Sequence, residues 1–114
     1  MKPRIIKSKD LKENNFGHIK VTDIINTKNY PEISIAKVKL TGNEAKLGYD
    51  TKSDVLYYVV EGKGKCIINK KEHLIKKGDL VFIPKNTKYR NTKGLTLLAI
   101  SSPRFNRKHR KYTE

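Results

Sequence analysis

The chain has 114 residues, of which 36% are hydrophobic, enough for one compact core and not for two. Its 26 Lys and Arg outnumber 11 Asp and Glu, so the formal net charge is +15 and the surface should attract polyanions. The single cysteine excludes an intramolecular disulfide framework and a zinc ribbon. Because no apolar run approaches the length of a signal-peptide core or a membrane-spanning helix, we expect a cytoplasmic protein with no membrane partner.

The first 30 residues form the least regular part of the sequence. Residues 7–15 are polar enough for a loop or one helical turn. The apolar residues between 19 and 25 favour an edge strand or a segment that covers one end of a barrel. We therefore interpret residues 1–30 as an N-terminal extension made of strand and loop.

Short β-rich runs separated by Gly, Pro, Asn and Lys follow from residue 31 onward, and no segment has a sustained helical period. The most apolar run, residues 56–60, predicts a strand buried on both faces, which a glycine-rich turn at 61–64 ends. Residues 66–69 then return as its hairpin partner. The other predicted strands cover residues 33–40, 73–75, 80–83 and 95–100. Strands spaced about 8–12 residues apart predict an all-β sandwich or barrel, and the lack of crossover helices excludes a parallel α/β fold.

Two motifs in this region resemble the motifs of the cupin superfamily. Residues 54–62, DVLYYVVEG, are similar to the end of the first cupin motif, a hydrophobic strand followed by a glycine turn. Residues 78–87, GDLVFIPKNT, are similar to the second motif, which runs from Gly-Asp through an apolar strand to Ile-Pro. The resemblance implies a single all-β domain, the cupin double-stranded β-helix or jelly-roll β-barrel. It would occupy residues 31–103 and be followed by a basic C-terminal tail at 104–114.

The resemblance also implies positions for a divalent metal, and this sequence departs from the family pattern at each of them. Where active cupins carry a Glu this chain has Val55, and where they carry the last His it has Tyr89. The His pair falls, depending on the spacing, on Gly48 and Asp50 or on Tyr49 and Thr51. The histidines of the chain, which show no ligand spacing, are His18, His73 and His109. We therefore expect no metal and no cofactor, and we interpret Cys66 as a small apolar residue packed on its strand.

Without a metal, the barrel could hold a small ligand or could be filled with side chains. Strand alternation in the cupin register places Val55, Tyr57 and Val59 on one inner face, with Tyr89 and Asn91 opposite them. A cavity with this lining would stack on a flat or sugar-like ligand and orient it by hydrogen bonds, whereas the two tyrosines could equally plug the space. The residues assigned to the predicted ligand pocket are Tyr49, Val55, Tyr57, Val59, Tyr89 and Asn91. This pattern favours a metal-free module that binds or senses a small molecule.

Two other functions remain open. The first is sequence-tolerant binding of nucleic acid or another polyanion, through Lys85, Lys88, Arg90, Arg104, Arg107, Lys108, Arg110 and Lys111. Three of the five Arg lie within 104–110, although 21 of the 26 cations are Lys, which AT-rich coding sequence also produces. The second is a sugar isomerase or epimerase-like enzyme. Its acid and base would have to be Tyr89 or Tyr57 with a carboxylate, and because tyrosine ordinarily keeps its proton near neutral pH, we assign no catalytic residue.

A homodimer is expected from the same resemblance. Cupins commonly pair through a barrel face or by exchanging N-terminal strands. The outward residues of the most apolar strand, Leu56, Tyr58 and Val60, would suit burial in such an interface.

Overall fold

The computed structural model describes residues 2–43 and 46–113, and it confirms the all-β fold predicted from the sequence. Its strands are β1 (Glu13–Asn15), β2 (Ile19–Ile25), β3 (Ser34–Leu40), β4 (Gly48–Asp50), β5 (Asp54–Ile68), β6 (Lys71–Lys76), β7 (Leu80–Ile83), β8 (Tyr89–Asn91), β9 (Leu95–Ser102) and β10 (Arg110–Tyr112). Two 3₁₀ turns cover Ser8–Asp10 and Arg107–His109. Within these described ranges, no helix has the length and apolar character needed to span a bilayer.

The strands pair antiparallel throughout and form a curled sheet, a half-barrel with a concave inner face. One part, here called sheet A, runs in the order β1, β2, β3, β9, β5 and β7. The other part, here called sheet B, contains the second half of β5 with β6 and β8 beside it, followed by β4 and β10. Strand β5 belongs to both parts and therefore connects sheet A to sheet B.

The course of β5 corrects the sequence-based interpretation. The sequence predicts a turn at 61–64 and a hairpin return at 66–69, but β5 continues from Asp54 to Ile68 without reversing. Its first half pairs with β9 as far as Gly62, and its second half pairs with β6 and β8. Gly62 has a φ of 84° and follows a register shift between Val59 and Glu61. A glycine in this conformation bends a strand at a bulge, so β5 passes from sheet A to sheet B instead of turning back.

The core lies between the two sheets. Its most deeply buried side chains come from four different strands, are at most 1% exposed, and include Val59, Cys66, Ile83, Tyr89 and Leu97. The interpretation of Cys66 as a packed apolar residue agrees with this placement. Burial of an aliphatic side chain of this size stabilises a fold by roughly 1.5–3 kcal/mol. Because these core residues come from four strands, their packing holds the inner faces of the two sheets in place relative to each other.

Both terminal segments are part of the same sheet. Strands β1 and β2 add to the free edge of β3, so the predicted edge strand at 19–25 lies inside sheet A. After β9, the Arg104 Nη1 atom donates to Asn26 Oδ1 at 2.6 Å, and the Phe105 amide donates to Ser34 Oγ at 2.8 Å. The chain then reaches β10, which pairs with β4. The C-terminal segment thereby places the Arg110 side chain of β10 on the inner face.

The part of the outer face of sheet A that lies on β7, β5 and β9 is apolar and partly exposed. Register places Leu56 beside Phe82 and Ile100, and in the next row Tyr58 lies between Leu80 and Leu98. Three of these side chains, Tyr58, Leu80 and Phe82, are 42%, 57% and 56% exposed. The prediction that residues 56–60 are buried on both faces is therefore wrong for the single chain, because only the inner face of β5 meets a second layer.

Candidate functional site

Three polar side chains from three strands meet on the concave face. The hydroxyl oxygens of Tyr57 and Tyr89 lie 2.6 Å apart, and Arg110 Nη1 donates to the Tyr89 hydroxyl at 2.5 Å. The Arg110 guanidinium carbon also lies 4.5 Å from the centre of the Tyr89 ring, a cation–π distance. Tyr89 is 1% exposed, whereas Tyr57 is half-buried, so the group runs from the interior to the accessible surface. We call these residues the tyrosine–arginine cluster.

Glycine at position 48 allows this cluster to form. On β4, Gly48 pairs with Tyr89 of β8 on one side and with Tyr112 of β10 on the other. A Cβ atom on Gly48 would lie 2.7 Å from Arg110 Nη2 and 3.0 Å from Arg110 Nε. The guanidinium therefore crosses the space that any other residue would fill, and reaches the Tyr89 ring from the neighbouring strand.

The cluster should be a strong hydrogen-bond donor. Arginine donates only, so its positive charge polarises the Tyr89 hydroxyl that accepts from it. Tyr89 and Tyr57 share the next hydrogen bond, and either oxygen can be its donor. Linked hydrogen bonds in a partly dry site strengthen one another. The arrangement suits a ligand oxygen that accepts hydrogen bonds, such as a ring carbonyl.

Asp50 lies opposite Arg110 in the register between β4 and β10. Its Oδ1 atom accepts from the amides of Lys52 and Ser53 at 2.8 and 2.7 Å, which closes the turn into β5. The side chain is buried, and its Oδ2 atom has no hydrogen-bond partner within the described residues. One oxygen of this carboxylate therefore has a structural role in the turn.

The other predicted pocket residues fill the interior or lie elsewhere. Val55, Val59 and Asn91 are at most 5% exposed, so the depth of the barrel is packed with side chains. Tyr49 lies between the buried residues Gly48 and Asp50 on β4 and pairs with Lys111, so alternation places it on the outer face. Of the predicted set, Tyr57 is the side chain that reaches the accessible part of the concave face.

The register of sheet A adds residues that the sequence analysis missed. Ala99 of β9 pairs with Tyr57, Ala36 of β3 pairs with Ala99, and Asp23 of β2 pairs with Ala36. Directly paired residues in antiparallel strands project to the same face, so all four share one row of the concave face. The two alanines are half-buried and Asp23 is exposed. We call this row the trough: its floor has two small residues, a carboxylate lies at one end, and Tyr57 of the tyrosine–arginine cluster lies at the other.

The sequence pattern that defines the cupin domain matches residues 40–98, about half of the chain. The chain belongs to the cupin family. The resemblance noted in the two motifs is thereby confirmed, and the half-barrel is a cupin fold. Among curated proteins, no sequence matches this cupin.

Solved structures of several proteins resemble this cupin closely in fold. Pac13 from Streptomyces, solved with uridine, aligns with a TM-score of 0.87 at 18% identity, covering 99% of this chain and 92% of Pac13. It is described as a nucleoside dehydratase, and further uridine complexes contain variants with phenylalanine in place of a tyrosine. A protein from Planctomyces limnophilus aligns at 0.86 with 16% identity, covering 96% of each chain. KdgF from Halomonas sp. aligns at 0.78 with 15% identity, covering 92% of this chain and 97% of KdgF. At these identities the likeness establishes the fold alone.

The residues at the metal positions of this cupin do not fit a divalent cation. Val55 offers no donor atom, and the Tyr89 hydroxyl is held by Tyr57 and Arg110. Asp50 has a carboxylate, but its Oδ1 atom already accepts two backbone hydrogen bonds. In residues 2–43 and 46–113, no three side chains of His, Cys, Asp or Glu converge. A lone carboxylate falls short of the three or four ligands that metal sites of this type use.

The basic residues considered for polyanion binding divide into two groups. Lys85, Lys88, Arg107, Lys108 and Lys111 are exposed. Arg90, Arg104 and Arg110 are half-buried, and the last two hold Asn26 and Tyr89 respectively. The structure therefore assigns Arg110 to the concave face, away from the exposed basic surface.

Proposed function

We propose that this cupin binds, without a metal, a small molecule that combines a flat ring with hydroxyl groups, of the nucleoside type. The observation that carries the proposal is the continuous contact from Tyr57 through Tyr89 to Arg110, placed at one end of the trough. Ligand sites of this kind combine a mostly apolar lining with a few convergent polar groups. The trough has this composition.

The floor of the trough supports a flat ligand. Ala36 and Ala99 each carry a single methyl group as a side chain, so a ring can lie close to the sheet. Tyr57 stands beside them, and its aromatic face offers a surface for packing or stacking. A ring carbonyl at this position would accept hydrogen bonds from the tyrosine–arginine cluster. The uridine bound by Pac13, a protein of the same fold over nearly its whole length, has both a carbonyl-bearing ring and sugar hydroxyls, which supports the choice of ligand class.

Tyr57→Phe should weaken binding of uridine roughly three- to tenfold, because it removes one hydroxyl and keeps the ring. Isothermal titration calorimetry with uridine measures this change. Tyr58→Phe is the matched control, since Tyr58 adjoins Tyr57 on β5 but points to the outer face and is 42% exposed. We expect the control variant to bind as the unchanged protein does. Absence of binding by the unchanged protein at millimolar uridine, cytidine and adenosine would overturn the proposal, and so would equal affinities of all three proteins.

We further propose that two copies of this cupin pair through the outer face of sheet A. The two rows of side chains around Leu56 and Tyr58 form a contiguous apolar surface of the kind that marks protein interfaces. On β7, β5 and β9 these rows carry no charged side chain in a chain of net charge +15, and Lys37 of β3, which pairs with Leu98, borders them. A twofold axis would place the same rows against each other.

Sedimentation equilibrium should therefore give twice the chain mass of 13.2 kDa for the unchanged protein. Phe82→Lys should give the single-chain mass, because it places a cation within the apolar row that Phe82 shares with Leu56. Leu74→Lys is the control, since Leu74 is 83% exposed but lies on β6, outside sheet A. A single-chain mass for the unchanged protein, or dimers in all three proteins, would contradict this interface.

A further inference from the structure

Asp23 occupies the end of the trough opposite to the tyrosine–arginine cluster. It lies on β2 and pairs with Ala36, which places its side chain in the same row as Ala99 and Tyr57. Its neighbour Thr22 pairs with Lys37 and projects to the outer face. Three strand spacings separate the Cα atoms of Asp23 and Tyr57, about 14 Å along the sheet, and both side chains project from its concave face. The space between them suits a molecule of nucleoside length.

The carboxylate of Asp23 has no structural role in the described part of the chain. It is exposed, and it forms no hydrogen bond or ion pair with the residues in 2–43 and 46–113. This is notable in a chain with 26 cations, which offers many partners for a surface acid. Asp23 therefore keeps both carboxylate oxygens free to accept hydrogen bonds on the concave face.

We propose that Asp23 accepts hydrogen bonds from the vicinal hydroxyl groups of a ribose, while the tyrosine–arginine cluster binds the acceptor atoms of the base. This inference rests on the proposed function and names the substrate class of the same site as a ribonucleoside. A carboxylate has two oxygens and can take both hydroxyl protons of a diol, as acidic residues do for ribose in dinucleotide-binding sites. The same charge repels a phosphate on those hydroxyls. The trough should accordingly prefer a ribonucleoside to its dideoxy analogue and to its 2′- or 3′-phosphate.

The test compares two ligands, uridine and 2′,3′-dideoxyuridine, on three proteins by calorimetry. The unchanged protein should bind uridine roughly tenfold more tightly than 2′,3′-dideoxyuridine, because hydrogen bonds to a charged group are stronger than those between neutral groups. Asp23→Asn keeps the shape of the side chain and removes the charge, so this preference should fall to about threefold or less. Its affinity for dideoxyuridine should remain as in the unchanged protein. Glu13→Gln is the matched control, since Glu13 lies on the adjacent strand β1 and pairs with Thr22 on the outer face.

The outcomes separate this inference from the proposed function. An unaltered preference for uridine in Asp23→Asn, or no preference in the unchanged protein, overturns the role of Asp23. The proposed function would then still stand if Tyr57→Phe weakens binding of both ligands. Failure of the unchanged protein to bind either ligand overturns both proposals together. A thermal unfolding midpoint of Asp23→Asn equal to that of the unchanged protein shows that any loss of preference arises in the site.

Discussion

Gly62→Ala should lower the free energy of unfolding by roughly 3–5 kcal/mol, the largest stability change expected from a single methyl group in this chain. A Cβ atom at this position would lie 2.0 Å from the carbonyl oxygen of Gly94, well inside contact distance. The φ of 84° adds a conformational cost of about 1–2 kcal/mol for a residue other than glycine. Because the Cβ atom is fixed to its own backbone and the Gly94 oxygen is itself a backbone atom, relief requires β5 to move away from the turn that leads into β9. Urea denaturation followed by circular dichroism measures the change.

Gly78→Ala provides the matched control. Gly78 has a similar φ of 95°, but a Cβ atom there would meet nothing within 4 Å. The free energy of unfolding of this variant should therefore fall only by the conformational cost of a positive φ, about 1–2 kcal/mol. Equal losses in the two variants would contradict the argument that close approach to Gly94 sets the bend of β5.

The bend at Gly62 also shows what local sequence could and could not predict. Strand β7 begins and ends at the predicted residues 80 and 83, and β9 begins at the predicted residue 95, because each is an apolar run closed by a turn or a proline. The glycines at 62 and 64 carry the same local signal as a turn. Whether they reverse the strand or bend it depends on Gly94, which lies in the turn before β9. That contact is distant in sequence, so the local pattern indicated the wrong one of two backbone paths.

The candidate site was likewise predictable only in part. Tyr57 and Tyr89 follow from the resemblance to cupin motifs, since both fall on strands whose register the motifs fix. Arg110 was grouped with the basic residues of the C-terminal segment, because its role depends on the pairing of β10 with β4. Asp23 was missed for a similar reason: its place in the row of Tyr57 is set by the register of four strands. No single segment of the sequence contains that information.

Arg110→Ala should weaken uridine binding roughly 10- to 100-fold, the largest effect on binding that we expect from one side chain. The substitution removes a charge-assisted hydrogen bond to Tyr89, usually worth about 1.5–3 kcal/mol, and a cation–π contact at 4.5 Å. It also leaves the buried Tyr89 hydroxyl without this donor, so the orientation of Tyr57 is less well fixed. Calorimetry with uridine measures the loss. Lys111→Ala is the control, since Lys111 is the next residue, is exposed and pairs with Tyr49 on the outer face.

A second variant distinguishes the position of the guanidinium from its charge. Gly48→Ala leaves every charge in place but adds a Cβ atom 2.7 Å from Arg110 Nη2, which forces the flexible side chain off the Tyr89 ring. If the geometry of the cluster determines binding, Gly48→Ala should reproduce a large part of the loss seen in Arg110→Ala. If uridine binding instead falls equally in Arg110→Ala and Lys111→Ala and survives in Gly48→Ala, charge alone is recognised. The exposed basic residues would then be the functional surface, and affinity for a polyanion such as single-stranded RNA should fall steeply with added salt.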